Sequence, residues 1–163
     1  MRHHRVGSRV LVATGMSLGA VGMLLLAQIS LTTGYASGIL PGLVVMGVGL
    51  GLVFGTAMNS ATLGVSPGDA GVTSATVNAC QQVGGSLGTA LLSTLAASAA
   101  TGFVTSAGAR PTPSLLATAA VHGYTTAFAV SAGIFAVGSV VAGLLYAPGV
   151  APVQAAGEPV LAA

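Results

Sequence analysis

The sequence predicts an all-α membrane protein with four transmembrane helices, and three observations predict it. Hydrophobic residues make up 53% of the 163 positions and charged residues only 4%, whereas about a quarter of an ordinary soluble domain is charged. The mean hydropathy of +0.94 agrees. The few charges sit at the ends and in connections, so they leave four apolar runs, each near the roughly 20 residues that a spanning helix needs.

The same composition excludes other classes. The net charge of +2 comes from four arginines, three of them within the first nine residues, which makes a local basic flank and not a nucleic-acid surface. Cys80 is the single cysteine, so neither an intrachain disulfide nor a cysteine metal cluster is built. No nucleophile with a positioned base and no phosphate loop occurs, so an enzyme, a metal site and a cofactor are not expected.

Taken in order, residues 1–9 (MRHHRVGSR) form a basic flank on a first span at about 10–31. That apolar run exceeds the ~7–15 residues of a signal-peptide core. Gly15, Gly19 and Gly22 share one side of it, a spacing that admits a neighbouring backbone. After a turn at 32–38, a second span at about 39–63 is interrupted near its start by Pro41. Its Gly47, Gly51 and Gly55 fall at i, i+4 and i+8 and lead to Asn59, a glycine groove ending in an amide. This face is expected to point inward, Asn59 serving as interhelical glue or as a substrate contact.

In the tight connection at 65–71, Pro67 and Gly68 turn the chain and Asp69 caps the next helix. The third span, about 72–98, carries the most unusual pattern. At 100° per residue Ser74, Asn78, Gln82, Ser86, Thr89 and Ser93 form one polar stripe, while Val77, Val83, Leu87, Leu91 and Leu95 point elsewhere. Amides in hydrocarbon need partners, so the stripe faces other helices or a wet cavity. Gly84 and Gly88 lie on a different side, suited to packing a neighbour. An Ala/Ser/Thr-rich connection at 99–121 follows, with Pro111, Pro113 and Arg110. A fourth, poorly polar span runs from about 124 to 146 with Gly133, Gly138 and Gly143 for packing, and 148–163 reads as a disordered tail. The basic flank sets the N-terminus in the cytoplasm, and four crossings return the C-terminus there.

The run SPGDAGVTSATVNACQQVGGSLGTALLSTLAASA (66–99), with VHGYTTAFAVSAGIFAVGSVVAGLL (121–145), resembles the C-terminal end of major facilitator superfamily transporters. More narrowly it is similar to the fourteen-helix drug:proton antiporters of the multidrug efflux branch. Arg5 to Arg9 (RVGSR) resembles the cytoplasmic-loop motif before the ninth helix of a twelve-helix core. The resemblance implies that the spans are core helices nine to twelve, a partial bundle whose middle pair lines the central cavity, with Asn59, Asn78, Gln81 and Gln82 on the substrate path. Gln81 stands where many relatives have arginine.

The intact protein would export lipophilic drugs or metabolites across the cell membrane. Its partners would be the lipid bilayer, the remaining helices of the transporter and a small lipophilic substrate. Alternating access rocks two bundles about a midplane site, and none of the four spans at these bounds holds an acid or a histidine for proton coupling. The chain alone is therefore not expected to pump. Two alternatives stay open: a self-assembling small four-helix transporter, whose relatives depend on a membrane glutamate absent here, and a non-transporting membrane partner.

Overall fold

The computed structural model describes residues 8–62, 65–66, 68–108 and 110–145. Among them there are four long helices and no strand: α1 Ser8–Leu26, α2 Leu40–Thr62, α3 Ala70–Ser106 and α4 Pro113–Leu145. All four are long and apolar enough to cross a membrane. The tail at 148–163 and most of the basic flank lie outside the described residues, while Arg9 stands in the first turn of α1.

α1 ends at Leu26, five residues before the expected bound. Its last turn tightens, Gln28 N–H donating to the Leu25 carbonyl and Ile29 N–H to that of Leu26, while the Gln28 side-chain amide donates to the Leu24 carbonyl at 3.2 Å. Ser30 and Thr33 then turn the chain, the Ser30 N–H donating to Thr33 Oγ1 at 2.8 Å. The entry to α2 is a π-helical turn, Tyr35–Ile39. Pro41, just inside α2, has no N–H to give the carbonyl four residues back, and its ring crowds that carbonyl. The widened turn relieves both constraints before the regular helix begins.

The third and fourth spans differ most from expectation. The connection expected at 99–121 is mainly helical: α3 continues to Ser106 and α4 starts at Pro113. Hydroxyls in these segments donate to carbonyls of their own helix, Thr105 to Thr101, Ser106 to Phe103 and Thr118 to Ser114, so a Ser/Thr-rich stretch needs no solvent to satisfy it. The helices also cover one another there. A methyl group on Gly123 would lie 2.5 Å from the Ala96 carbonyl oxygen and 3.3 Å from Ala100 Cβ, so the backbones approach as only small residues permit.

What remains of the connection is the six residues 107–112. Gly108, at φ +60°, takes the left-handed conformation that terminates α3. Thr112 caps α4, its Oγ1 accepting from Leu115 N–H at 3.2 Å, with Pro113 at the first helical position where no N–H is needed. At 1.5 Å per residue α3 is about 55 Å long and α4 about 50 Å, well beyond a hydrocarbon core of about 30 Å.

The helices form an open row. α1 sits between α2 and α4, and α3 packs on α4 with only slight contact to α2. The α1–α2 crossing is a glycine crossing: a methyl group on Gly15 would lie 2.7 Å from the Gly49 carbonyl oxygen, and one on Gly22 would lie 2.7 Å from Met46 N. The α1–α4 seam is different in character. Met16 fills the space over Gly138, the Phe135 ring lies against Gly19, and Ser139 Oγ donates to the Ala13 carbonyl at 2.9 Å with Ser17 Oγ 2.8 Å away. Ala20 on α1 and Ala119 and Ala132 on α4 are buried.

The face of α2 that meets α1 is Gly42, Met46, Gly49 and Val53. Gly47, Gly51 and Gly55, expected to pack a neighbour, have nothing within 4 Å. At 100° per residue they lie roughly 180° around the helix from the crossing. Gly84 and Gly88 on α3, and Gly133 and Gly143 on α4, likewise meet nothing within 4 Å in this chain.

Candidate functional site

The residues singled out for a substrate path lie on the two outer helices of the row. Asn59 is exposed near the end of α2, and Asn78, Gln81 and Gln82 are exposed in the first half of α3. α3 buries no residue at all. Every residue from Asn78 to Leu87 is exposed, a stretch of ten positions and about 15 Å of helix. The polar stripe and the apolar sides of this stretch are bare together, Val83 at 58% and Leu87 at 67% exposure.

This geometry follows from where the small residues stand. The tight α3–α4 approach is made by Ala96, Ala100 and Gly123, in the second half of α3, and the first half has no comparable partner on α4. Within the chain the amides are therefore not brought against a wall: Asn78, Gln81 and Gln82 share one helix, with Asn59 on another that α3 barely touches. The stripe contains both kinds of polar group. Ser86 satisfies itself by donating to the Val83 carbonyl at 2.9 Å, whereas a side-chain amide has more donors and acceptors than its own backbone turn can engage.

Asp69 occupies the N-cap position of α3 but makes no side-chain cap bond. Its carboxylate instead accepts from the Ser66 hydroxyl at 2.7 Å, while its carbonyl receives Thr73 N–H at 3.0 Å. The carboxylate is thus part of the loop turn, near the positive end of the α3 dipole.

His122 falls between the connection expected at 99–121 and the fourth span expected from about 124. Because α4 begins at Pro113, His122 is helical and lies on an open cleft of about 450 Å3 lined by Ile29, Leu31, Phe103, Val121 and several hydroxyls. The Phe103 and His122 rings are 5.1 Å apart, centre to centre. A histidine with Thr118 one turn before it and Thr125 and Thr126 one turn after was the available sequence signal.

Over 143 residues the chain is 36% identical to the puromycin resistance protein pur8 of Streptomyces alboniger, the match taking in 86% of this chain and 28% of that protein. It is 38% identical over 102 residues to the cephamycin export protein CmcT of Amycolatopsis lactamdurans, with 63% of this chain and 21% of that protein matched. The chain thus spans about a quarter of the length of the curated relatives it matches. No family model and no solved structure matches it.

Proposed function

We propose that the chain is the C-terminal four-helix part of a major facilitator superfamily transporter of the drug:proton antiporter branch. In the intact protein it contributes to export of small lipophilic compounds across the cell membrane, in exchange for protons, with both termini cytoplasmic. The observation that carries this reading is the bare stretch from Asn78 to Leu87. Uncharged amides exposed on all-round open helix have no favourable place in hydrocarbon, so their partners come from helices or a wet cavity that this chain does not supply.

Similarity to one resistance protein and one export protein, each matched over about a quarter of its length, supports the same reading. On it, Asn59, Asn78, Gln81 and Gln82 line the path, while Gly47, Gly51, Gly55, Gly84 and Gly88 receive helices of the missing part. Lipid covers the remaining apolar faces.

The test is a chimera in which this chain replaces the matched segment of the Streptomyces alboniger protein. Expression of the chimera restores puromycin resistance, with extrusion of the drug that an uncoupler abolishes, and the chain expressed separately co-purifies with the remaining part of that protein. The chain by itself exports nothing. Uncoupler-sensitive extrusion by cells making only this chain would overturn the proposal in favour of self-assembly through the bare α3 face.

A further inference from the structure

Large exposed side chains divide α3 and α4 into two parts. On α3, Val72, Val83, Leu87 and Leu91 are exposed, and past Leu91 no large hydrophobic residue of this helix is. On α4 they run from Leu144 back to Ile134 and Tyr124, with Leu116 alone beyond. From Ser93 to Ser106 every exposed position is serine, threonine, alanine or glycine, while Leu95, Ala99 and Phe103 keep one side half-buried. Small polar groups outside and an apolar seam within make the pattern of a helix pair in water; the other parts carry the large apolar side chains that hydrocarbon accepts.

Contacts across the row put this division at one height. Phe135 lies against Gly19, and Tyr124 stands about 16 Å of helix further from the Arg9 end. Gly42 lies against Leu26 and the Gly22 carbonyl, which brings Tyr35, about 10 Å beyond Gly42, to nearly the same level. On α3 that level is near residue 98, since Gly123 meets Ala96 and Ala100. Tyr35 and Tyr124 are 62% and 59% exposed, and tyrosine concentrates where membrane meets water. From Arg9 to the tyrosines is about 31 Å along the row, against about 30 Å for a hydrocarbon core. Arg110, between α3 and α4, stands about 15 Å beyond the tyrosines, away from hydrocarbon that would penalise its charge. A bilayer shifted to cover that end would leave Val10 and Leu144, both exposed, in water at the other.

We infer that the bilayer ends at Tyr35 and Tyr124, whose rings meet the lipid headgroups, and that 98–106 of α3 and 113–123 of α4 stand beyond it as a water-facing helical arm about 15 Å tall. The cleft lined by Ile29, Phe103 and His122 then opens at the headgroup layer, at the foot of the arm. That this side is the exterior rests on the proposed orientation; the height of the arm above the bilayer does not.

The chain has no tryptophan, so a single introduced one reports its own depth. The full chain is reconstituted in phosphatidylcholine vesicles with and without bromine on the acyl chains, and iodide on both sides is the aqueous quencher. Leu87→Trp, about 15 Å below the tyrosine level and near the bilayer midplane, loses most of its emission to bromine and is spared by iodide. Phe103→Trp and Leu116→Trp, about 8 and 12 Å above that level, are reached by iodide and keep their emission in brominated lipid. Tyr35→Trp and Tyr124→Trp are quenched more by bromine next to the ester groups than by bromine at the chain ends. Leu116 is exposed, so its variant leaves the Phe103–His122 contact intact and decides the result where Phe103→Trp disturbs the seam. Bromine quenching of Leu116→Trp equal to that of Leu87→Trp would overturn the proposal, as would stronger quenching of Tyr124→Trp by bromine at the chain ends. The readout is the same whichever side the arm occupies, so it fails or holds separately from the exporter reading.

Discussion

Replacing Gly49 by alanine tests whether the α1–α2 crossing holds the row together. A methyl group there would lie 2.6 Å from the Gly15 carbonyl oxygen, 2.7 Å from the Gly19 amide nitrogen and 3.0 Å from Leu18 Cβ. Two of these are backbone atoms of α1, so no rotamer change relieves the clash. The helices must separate by about 0.8 Å to reach ordinary contact near 3.4 Å, and the loss spreads along Gly15, Gly22 and Met46. Gly51→Ala is the matched control, since it adds the same methyl two residues away into space with nothing within 4 Å. The intrinsic helix gain of alanine over glycine is common to both and cancels in the comparison. What remains is overpacking, about 1–3 kcal/mol, or roughly a five- to 150-fold shift in the unfolding equilibrium. Titration of the chain from mild detergent into denaturing detergent, followed by far-UV circular dichroism, reads that difference. Equal midpoints for Gly49→Ala and Gly51→Ala would refute the assignment of the crossing to Gly49.

Ser139→Ala removes the bond to the Ala13 carbonyl and the Ser17 contact across the α1–α4 seam; a loss of about 0.6–1.7 kcal/mol is expected by the same titration. Reporter fusions after Leu31 and within 107–112 should report the exterior, and fusions after Thr62 and at the C-terminus the cytoplasm; the reverse pattern would invert the orientation set by the N-terminal arginines. In the chimera, Asn78→Leu and Gln82→Leu should change which of several dyes are exported at matched expression, with Val83→Leu and Leu87→Val as controls; a uniform drop no larger than that of the controls would make the two amides packing residues.

How far the sequence reveals this fold depends on what each signal physically encodes. The class was legible because hydrocarbon tolerates few charges, a constraint on composition that needs no knowledge of neighbours. Helix ends were less legible where small residues dominate. Residues 99–106 and 113–121 contain alanine, serine and threonine without an apolar period, and composition alone gives such a run to a loop. Their hydroxyls bond back to their own helix, as Thr105 and Thr118 do, and the Ala96–Gly123 approach supplies the packing that the pattern does not show. Moving the start of α4 to Pro113 brought His122 into a helix and made the cleft visible.

Glycine spacing shows the same limit from another side. Gly15 and Gly22 were read as a packing face and do meet α2 at backbone distance, yet Gly47, Gly51 and Gly55 had the more regular spacing and meet nothing here. Small residues at helical intervals state that a close approach is permitted; the matching face of a neighbour decides which permission is used. On α2 that neighbour is α1, and it selected Gly42 and Gly49. The unused glycines of α2, with the bare amides and glycines of α3, are thus the surfaces whose sequence patterns imply contact but whose contacts this chain does not make. An isolated four-helix protein would gain by burying them against one another, and the row instead keeps α2 and α3 apart at its two sides. On the proposed reading those faces meet other helices of the transporter, which is why the chimera, and not the chain alone, is the decisive setting for Asn78 and Gln82.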